Sequence, residues 1–224
     1  MPVSLLYYIT DRTAFATDES TRRRRLVEKI SEAARVSVDY IQIREKDLST
    51  RELEALARDA VSAIREARRL ATDHRQLATA VFINSRTDVA LAAGADGVHL
   101  RSDDASPQDV REMWKECGAS STGQLSPLAP LIAVSCHSPA EVTEAAENRA
   151  NLAVFGPVFE EKGLQPVGLK LLREACKARI PVLALGGVTL ADAHACLEAG
   201  AAGIAAIRLF QENDIATVVK QLRG

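Results

Sequence analysis

The sequence predicts an α/β protein that folds as a single (β/α)8 TIM barrel. Eight short apolar segments alternate with eight segments of helical spacing over 224 residues. This alternation is typical of a parallel sheet covered by helices, and eight repeats in this length favour a closed barrel over an open sheet. The chain has no GxGxxG or GxxxxGK[ST] motif, which argues against a Rossmann or P-loop fold. No domain boundary is indicated, so residues 1–224 are predicted to form one domain.

Each predicted strand is an apolar run that ends at a polar residue or a glycine. The first, Leu5–Thr10, is followed by a polar loop. The second, Tyr40–Arg44, alternates, which places Gln42 and Arg44 on one side of the strand and the isoleucines on the other. The other predicted strands are Ala80–Ile83, Gly97–Leu100, Leu131–Cys136, Leu152–Val158, Val182–Leu185 and Gly203–Ile207.

The predicted helices place apolar residues at every third or fourth position, so that one face of each can pack on the sheet. The segment 118–130 is rich in Ser, Gly and Pro and is predicted to be a flexible connection. The helices are predicted at Thr21–Val36, Thr50–Ala71, Thr87–Ala93, Ser106–Cys117, Pro139–Asn148, Val167–Ala178, Leu190–Ala199 and Gln211–Leu222.

The composition argues against several classes of protein. The net charge of −2 makes no electrostatic case for binding nucleic acid or an acidic membrane. No apolar run approaches the ~20 residues that span a bilayer, and no charged leader precedes the N-terminal apolar residues, so no signal peptide is expected. The four cysteines form no CxxC pair, which argues against a zinc or redox motif and favours a cytoplasmic location. A homo-oligomer is compatible with the sequence.

The stretch from the seventh to the eighth predicted strand indicates a phosphate site. Val182–Leu185 ends at Gly186 and Gly187, whose N–H groups can approach an anion closely because glycine has no Cβ. Gly203–Ile207 then leads into Arg208. In (β/α)8 barrels, the loops after strands seven and eight often bind phosphate.

Polar residues follow most of the predicted strands and are expected to meet over one mouth of the barrel. Together they suit a phosphorylated substrate with a divalent ion. Asp103 and Asp104 could bind Mg²⁺ or cap the next helix, and local sequence favours neither alternative. His99, inside the fourth strand, is predicted to be a packed residue. The strand-end set is Gln42, Arg44, Lys46, Asn84, Asp103, Asp104, Ser135, His137, Lys162, Gly187 and Arg208.

Seven motifs, taken in order, resemble the thiamin-phosphate synthase family, which includes the TenI-type thiazole tautomerases. They are YYITDR, QIREKDLS, INSRTDVALAAGADGVHL, AVSCHS, FGPVF, LALGGV and AAGIAAI. The resemblance implies a barrel transferase of thiamin biosynthesis that joins a pyrimidine-methyl diphosphate to a thiazole phosphate. Diphosphate leaves first, which gives a pyrimidine-stabilised cation, and the thiazole nitrogen then attacks that cation.

The resemblance also implies roles for individual residues. Asp104 matches a magnesium-binding aspartate, and Asp103 beside it is a second candidate ligand. Arg44 and Lys46 are expected to be catalytic because they would shield the departing diphosphate. The positions that hold the diphosphate and the pyrimidine are matched by Gln42, Arg44, Lys46 and Asn84. Further substrate-binding positions, including the thiazole phosphate site, are matched by Ser135, Lys162, Gly187 and the backbone at Ile207 and Arg208.

Some positions depart from the synthase pattern. Ser85 stands where synthases usually have an aspartate that helps to bind Mg²⁺, which weakens the prediction of that cofactor. The loop after the sixth strand carries Glu160 and Glu161 where synthases have threonines, and Arg208 replaces a frequent serine. The tautomerase alternative needs no metal and would use His137 as its catalytic residue, although His137 could also be a capping or packing residue. A third alternative is a non-catalytic relative that binds a thiamin intermediate.

Overall fold

Eight parallel strands close into a barrel in the order of the chain, as predicted. The computed structural model describes residues 4–15, 18–70, 79–118, 129–160, 163 and 165–224. Each strand pairs with its neighbours in sequence, and β1 also pairs with β8, which closes the barrel. The strands are β1 Leu5–Ile9, β2 Tyr40–Ile43, β3 Ala80–Asn84, β4 Gly97–Leu100, β5 Leu131–Cys136, β6 Leu152–Phe155, β7 Val182–Ala184 and β8 Gly203–Ala206.

Helices connect the strands and cover the outside of the barrel. A short 3-10 helix, Arg12–Ala14, follows β1. No helix within the described ranges is long and apolar enough to cross a membrane. The α-helices are α1 Glu19–Arg35, α2 Thr50–Leu70, α3 Thr87–Ala93, α4 Pro107–Gly118, α5 Pro139–Glu147, α6 Gly168–Ala175, α7 Leu190–Glu198, α8 Arg208–Gln211 and α9 Ile215–Arg223.

Two element boundaries differ clearly from the sequence prediction. The predicted sixth strand ends at Val158, but β6 ends at Phe155. Pro157 has no N–H to donate, and Val158 N donates to Leu185 O, at the exit of β7, at 2.8 Å. The predicted closing helix, Gln211–Leu222, is α9, which begins only at Ile215, and a short helix that the sequence did not predict, α8, precedes it. Asp214 separates them, because its side chain accepts from Thr217 N and caps α9.

Alternation along the strands divides the core into an inner and an outer layer. The side chains that fill the barrel include Tyr7 and Phe82, whereas Ile41 and Ile43 pack outside against the helices. Gln42 therefore faces the barrel interior, where only 1% of it is exposed. The predicted alternation of β2 is confirmed.

The amino-terminal end of the barrel is closed by close packing and paired charges. An added Cβ at Gly97 or Gly203 would lie 1.9 Å from a carbonyl oxygen of the adjacent strand, so only glycine fits there. Asp39 accepts a hydrogen bond from Leu6 N at 2.7 Å and pairs with Arg223 of the last helix. These contacts join the two ends of the chain at the face away from the predicted site.

Candidate active site

A hydrogen-bonded chain links the carboxyl ends of β2, β3 and β4. Gln42 Nε2 donates to Asn84 Oδ1 at 2.9 Å, and Asn84 Nδ2 donates to Ser85 Oγ at 3.2 Å. Ser85 Oγ donates in turn to Asp104 Oδ2 at 2.6 Å. The structure therefore brings together three predicted site residues, Gln42, Asn84 and Asp104, at one mouth of the barrel.

Gln42 leaves one acceptor without a partner. Its Oε1 is buried and accepts no hydrogen bond from any residue that the structure describes. A buried polar atom of this kind is costly unless a ligand or water completes it. A ligand N–H group that enters the mouth of the barrel would satisfy it.

Two cations, Arg44 and Lys46, follow β2. The Arg44 backbone is held by Thr10, whose Oγ1 accepts from Arg44 N at 3.1 Å. Neither side chain forms an ion pair with any residue in the described part of the chain. The charge of Arg44 is the main cause of a lowered pKa at Lys46, and burial and Arg101 add to it. Uncompensated positive charge at a strand exit attracts anionic ligands.

Glu45 lies between these two cations in the sequence, and its side chain is buried beside Thr10 and Arg12. We call Thr10, Arg12, Glu19, Glu45 and Asp47 the rim cluster. Glu45 accepts from Thr10 Oγ1 at 2.6 Å and from Arg12 N at 3.0 Å. Arg12 also pairs with Asp47 at 2.7 Å and with Glu19 at 2.8 Å. Burial raises the pKa of Glu45, although the hydrogen bonds from Thr10 and Arg12 oppose that rise. The sequence pattern did not predict this cluster.

A second buried chain connects Tyr7, His99 and Ser135. Tyr7 Oη and Ser135 Oγ lie 2.8 Å from Nδ1 and Nε2 of His99, respectively. Burial, and then the charge of Arg44, lower the pKa of His99 to about 3, so its imidazole is neutral. The prediction that His99 is packed is confirmed, but it did not include this hydrogen bonding.

The burial of Tyr7 decides the direction of that chain. Tyr7 is fully buried, and its hydroxyl needs an acceptor for its proton. If Tyr7 donates to Nδ1, then Nε2–H of His99 donates to Ser135. The hydroxyl proton of Ser135 is then free for a ligand at the mouth. The sequence around Ser135 does not predict the direction of its hydroxyl proton, because Tyr7 and His99, on other strands, determine that direction.

His137 follows β5, and one of its ring nitrogens is held by a hydrogen bond to the backbone. Its Nδ1 lies 2.6 Å from the carbonyl oxygen of Gly156, which can only accept, so Nδ1 carries a proton and Nε2 is the acceptor of the neutral imidazole. The capping alternative is wrong, because Ser138 caps α5 by accepting from Glu141 N. His137 is exposed and therefore accessible to a ligand.

Gly186 and Gly187 form a turn after β7 that only glycine accommodates easily. Their φ angles are 90° and 64°, in the left-handed region. An added Cβ on Gly187 would lie 2.8 Å from Glu160 O. The N–H groups of this glycine turn meet no acceptor among the described residues.

The exit of β8 lies next to that turn. Ile207 precedes α8, whose first residue, Arg208, has an exposed side chain. Tyr8 Oη holds α8 in place by donating to Gln211 Oε1 at 3.0 Å. A short helix after the eighth strand, beside the loop of the seventh, is the usual construction of a barrel phosphate site.

Comparisons with known proteins agree with this architecture. The sequence profile of the family described as "Thiamine monophosphate synthase" matches residues 6–210. The chain belongs to the thiamine monophosphate synthase family. It is 37% identical over 207 residues to a putative thiamine-phosphate synthase of Geobacter sulfurreducens, which covers 90% of this chain and 84% of that protein.

Two further relatives match along nearly the whole chain. A protein of Aquifex aeolicus named putative thiamine-phosphate synthase 2 is 33% identical, over 95% of this chain and 100% of that protein. A solved structure of thiamine phosphate pyrophosphorylase from Pyrococcus furiosus has a TM-score of 0.75 and 29% identity, over 98% of this chain and 93% of that chain.

The acids after β4 do not fit the magnesium site that the family resemblance implies. Asp104 Oδ2 accepts from Ser85 Oγ and, at 2.7 Å, from Arg101 N. Asp103 is exposed and lies beside the Arg101 guanidinium. Mg²⁺ is usually held by one or two carboxylates together with substrate phosphates and water, and here both acids are already engaged by Arg101 or Ser85. No group of three or more His, Cys, Asp or Glu side chains in the described ranges could hold a metal ion.

The loop after β6 is described only in part. Lys162 and Glu161 lie outside the described residues, so the predicted role of Lys162 stays a prediction. Glu160 is exposed, and its backbone carbonyl lies against Gly187. The backbone of this loop runs beside the exit of β7, because Phe159 N donates to Gly186 O at 3.1 Å.

Proposed function

We propose that this chain is a thiamin-phosphate synthase, a transferase that joins a pyrimidine-methyl diphosphate to a thiazole phosphate and releases diphosphate. The uncompensated charges of Arg44 and Lys46 carry the proposal. They stand after β2, three strands around the barrel from the glycine turn after β7. Two anionic groups can therefore bind at separate points of one opening. The names of the relatives support this activity.

The first step breaks the bond between the methylene carbon and the diphosphate oxygen. The electron pair leaves with the oxygen, and the positive charge that remains is delocalised into the pyrimidine. Arg44 and Lys46 stabilise the negative charge that develops on the leaving group, and they are already in place before the reaction. Gln42 Oε1 orients the pyrimidine by accepting from one of its N–H groups.

The second step forms the bond between carbon and nitrogen. The lone pair of the thiazole nitrogen attacks the methylene cation, and no proton has to be removed from that nitrogen. The glycine turn and Arg208 hold the thiazole phosphate, which positions the ring over the mouth. The Ser135 hydroxyl, with its proton free, orients a bound substrate from the side of β5.

A two-substrate assay tests the proposal. The full chain is incubated with both substrates, in Mg²⁺ or in EDTA, and thiamin phosphate and diphosphate are quantified. We expect equimolar formation of the two products and no thiamin phosphate when either substrate is omitted. The two buffers also test the magnesium prediction. Absence of thiamin phosphate in both buffers would contradict the proposed function.

The geometry of His137 favours a second candidate, the thiazole tautomerase. The free Nε2 lone pair of His137 could accept a proton from a bound thiazole. For a synthase, His137→Ala should change turnover by less than about twofold, because neither proposed step uses this imidazole. For a tautomerase, the same variant should lose about 10²-fold or more of its activity. Tautomer conversion without metal, followed alongside the two-substrate assay, separates the two activities.

A further inference from the structure

One guanidinium bridges the two acids after β4. Arg101 Nε lies 3.3 Å from Asp103 Oδ1, and Nη2 lies 3.3 Å from Asp104 Oδ1. A guanidinium has five N–H donors in a planar fork, so three remain after these contacts. The Arg101 side chain is 55% exposed, and its Nη1 contacts no carboxylate in the described part of the chain. The free edge of the fork is accessible to a ligand.

Arg101 belongs to the same charge field as the cations after β2. Arg101 contacts Asp104, which ends the hydrogen-bonded chain that begins at Gln42 of β2. Arg44, burial and Arg101, in that order, lower the pKa of Lys46. Together with Asp103 and Asp104 the three cations carry a formal charge of about +1. Mutual repulsion among the cations is relieved when a multiply charged anion binds between them.

Ser85 directs Asp104 toward Arg101. The Ser85 backbone is fixed on β4 by a hydrogen bond from Ser85 N to His99 O at 2.9 Å, and its hydroxyl donates to Asp104. An aspartate at position 85 would place a second carboxylate against Asp104, and a cation would be needed between them. In this chain the serine removes that repulsion, and Arg101 supplies the positive charge instead.

We propose that Arg101 binds the diphosphate of the pyrimidine substrate directly and takes the role that the family resemblance gives to Mg²⁺. The inference rests on the proposed synthase function. Planar guanidinium groups bind phosphate oxygens in a bidentate manner, and their charge does not depend on pH in the physiological range. Arg101 keeps its contact with Asp104 through one donor and offers its free edge to the diphosphate.

Binding of inorganic diphosphate tests this role without relying on turnover. Calorimetry would compare the wild type with Arg101→Ala and Arg101→Lys, each in EDTA and in Mg²⁺. We expect the wild type to bind diphosphate in EDTA and Arg101→Ala to bind about 10- to 100-fold more weakly, as expected for the loss of a charged hydrogen-bond donor. Arg101→Lys should recover only part of the affinity, because an ammonium cannot form the bidentate contact.

Two further variants complete the experiment. Arg58 is an exposed arginine of α2 that pairs with Glu54 on the same helix, and Arg58→Ala should bind diphosphate like the wild type. The double variant Ser85→Asp with Arg101→Ala recreates an acidic pair, so its diphosphate binding should depend on Mg²⁺. Thermal melting of each variant checks that the fold is intact.

Three results would overturn the inference. The first is no diphosphate binding by the wild type in EDTA, and the second is wild-type affinity in Arg101→Ala. The third is full rescue of Arg101→Ala by Mg²⁺ with Ser85 in place, because Asp104 would then be sufficient to hold the ion.

The inference and the proposed function can fail separately. If the wild type makes no thiamin phosphate but binds diphosphate through Arg101, the synthase function fails and the anion site remains. If thiamin phosphate forms only with Mg²⁺ and Arg101→Ala binds diphosphate normally, the synthase function remains and the role of Arg101 fails.

Discussion

Two arginines at the same rim of the barrel have opposite surroundings. Arg12, after β1, is 3% exposed and contacts three carboxylates. Arg44, after β2, is partly exposed and pairs with no carboxylate among the described residues. Both follow strands at the same end of the barrel, so strand-end position does not distinguish them. Burial and charge compensation do distinguish them, because a buried arginine whose donors contact carboxylates stabilises its loop, whereas an arginine with exposed free donors can bind an anion.

Arg12→Ala should have the largest effect, which is a loss in the free energy of unfolding. It would leave Glu45 buried without its cationic partner, and breaking a buried ion pair in this way costs about 3–5 kcal/mol. Urea unfolding measures the loss, and Arg12→Lys should recover part of it. An unchanged free energy of unfolding would show that the rim cluster does not stabilise the barrel.

Arg44→Ala should give the opposite result. We expect turnover to fall about 10²- to 10³-fold, because the charge on the departing diphosphate would be unshielded. The free energy of unfolding should change by no more than about 0.5 kcal/mol, because Arg44 forms no ion pair with the residues that the structure describes. Initial rates and urea unfolding measure the two effects, with Arg58→Ala as the control. Near-normal turnover would exclude Arg44 from the reaction.

The buried histidine His99 should make the stability of the protein depend on pH. The pKa of His99 is lowered to about 3, whereas a histidine in the unfolded chain titrates near 6.5. Between these values the unfolded chain binds the extra proton, so stability should fall as the pH falls from 6.5 toward 3. The slope from this one group is at most about 1.4 kcal/mol per pH unit.

Unfolding free energies measured from pH 7 to pH 4 would check this slope against the variant His99→Gln. The variant lacks the titrating group, so its stability should decline less over the same range. Equal declines in the two proteins would show that His99 does not titrate in the way described.

Gly187→Val should have the smallest of these effects, which is a weaker affinity for thiazole phosphate. The valine side chain would collide with Glu160 O and shield the N–H groups, so thiazole phosphate should bind about tenfold more weakly. Gly168→Val is the matched control, because Gly168 has a similar φ of 76° but no atom within 4 Å of an added Cβ. Calorimetry measures the affinity of both variants for thiazole phosphate. Equal affinity in the two variants would show that the thiazole phosphate does not bind at the glycine turn.

Much of the site was predictable because it depends on local pattern. Alternation along β2 is enough to place Gln42 inside the barrel, and the glycine pair is enough to mark the turn after β7. The rim cluster was not predictable in this way. Glu45 lies within a recognised motif, but its partner Arg12 is 33 residues earlier in the chain, and the sequence between them does not indicate that they pair.

The sequence by itself determined the order of the elements, the closed barrel and the mouth at which polar residues gather, because periodicity and strand ends are local properties. Only the tertiary structure decided which charged groups are compensated. Arg12 and Arg44 both follow a strand end, and they differ because other segments bring carboxylates to Arg12, whereas no described carboxylate pairs with Arg44. Hydrogen-bond and ion-pair partners are chosen in space, so burial and neighbouring strands determine whether a charge supports the fold or is available to a ligand.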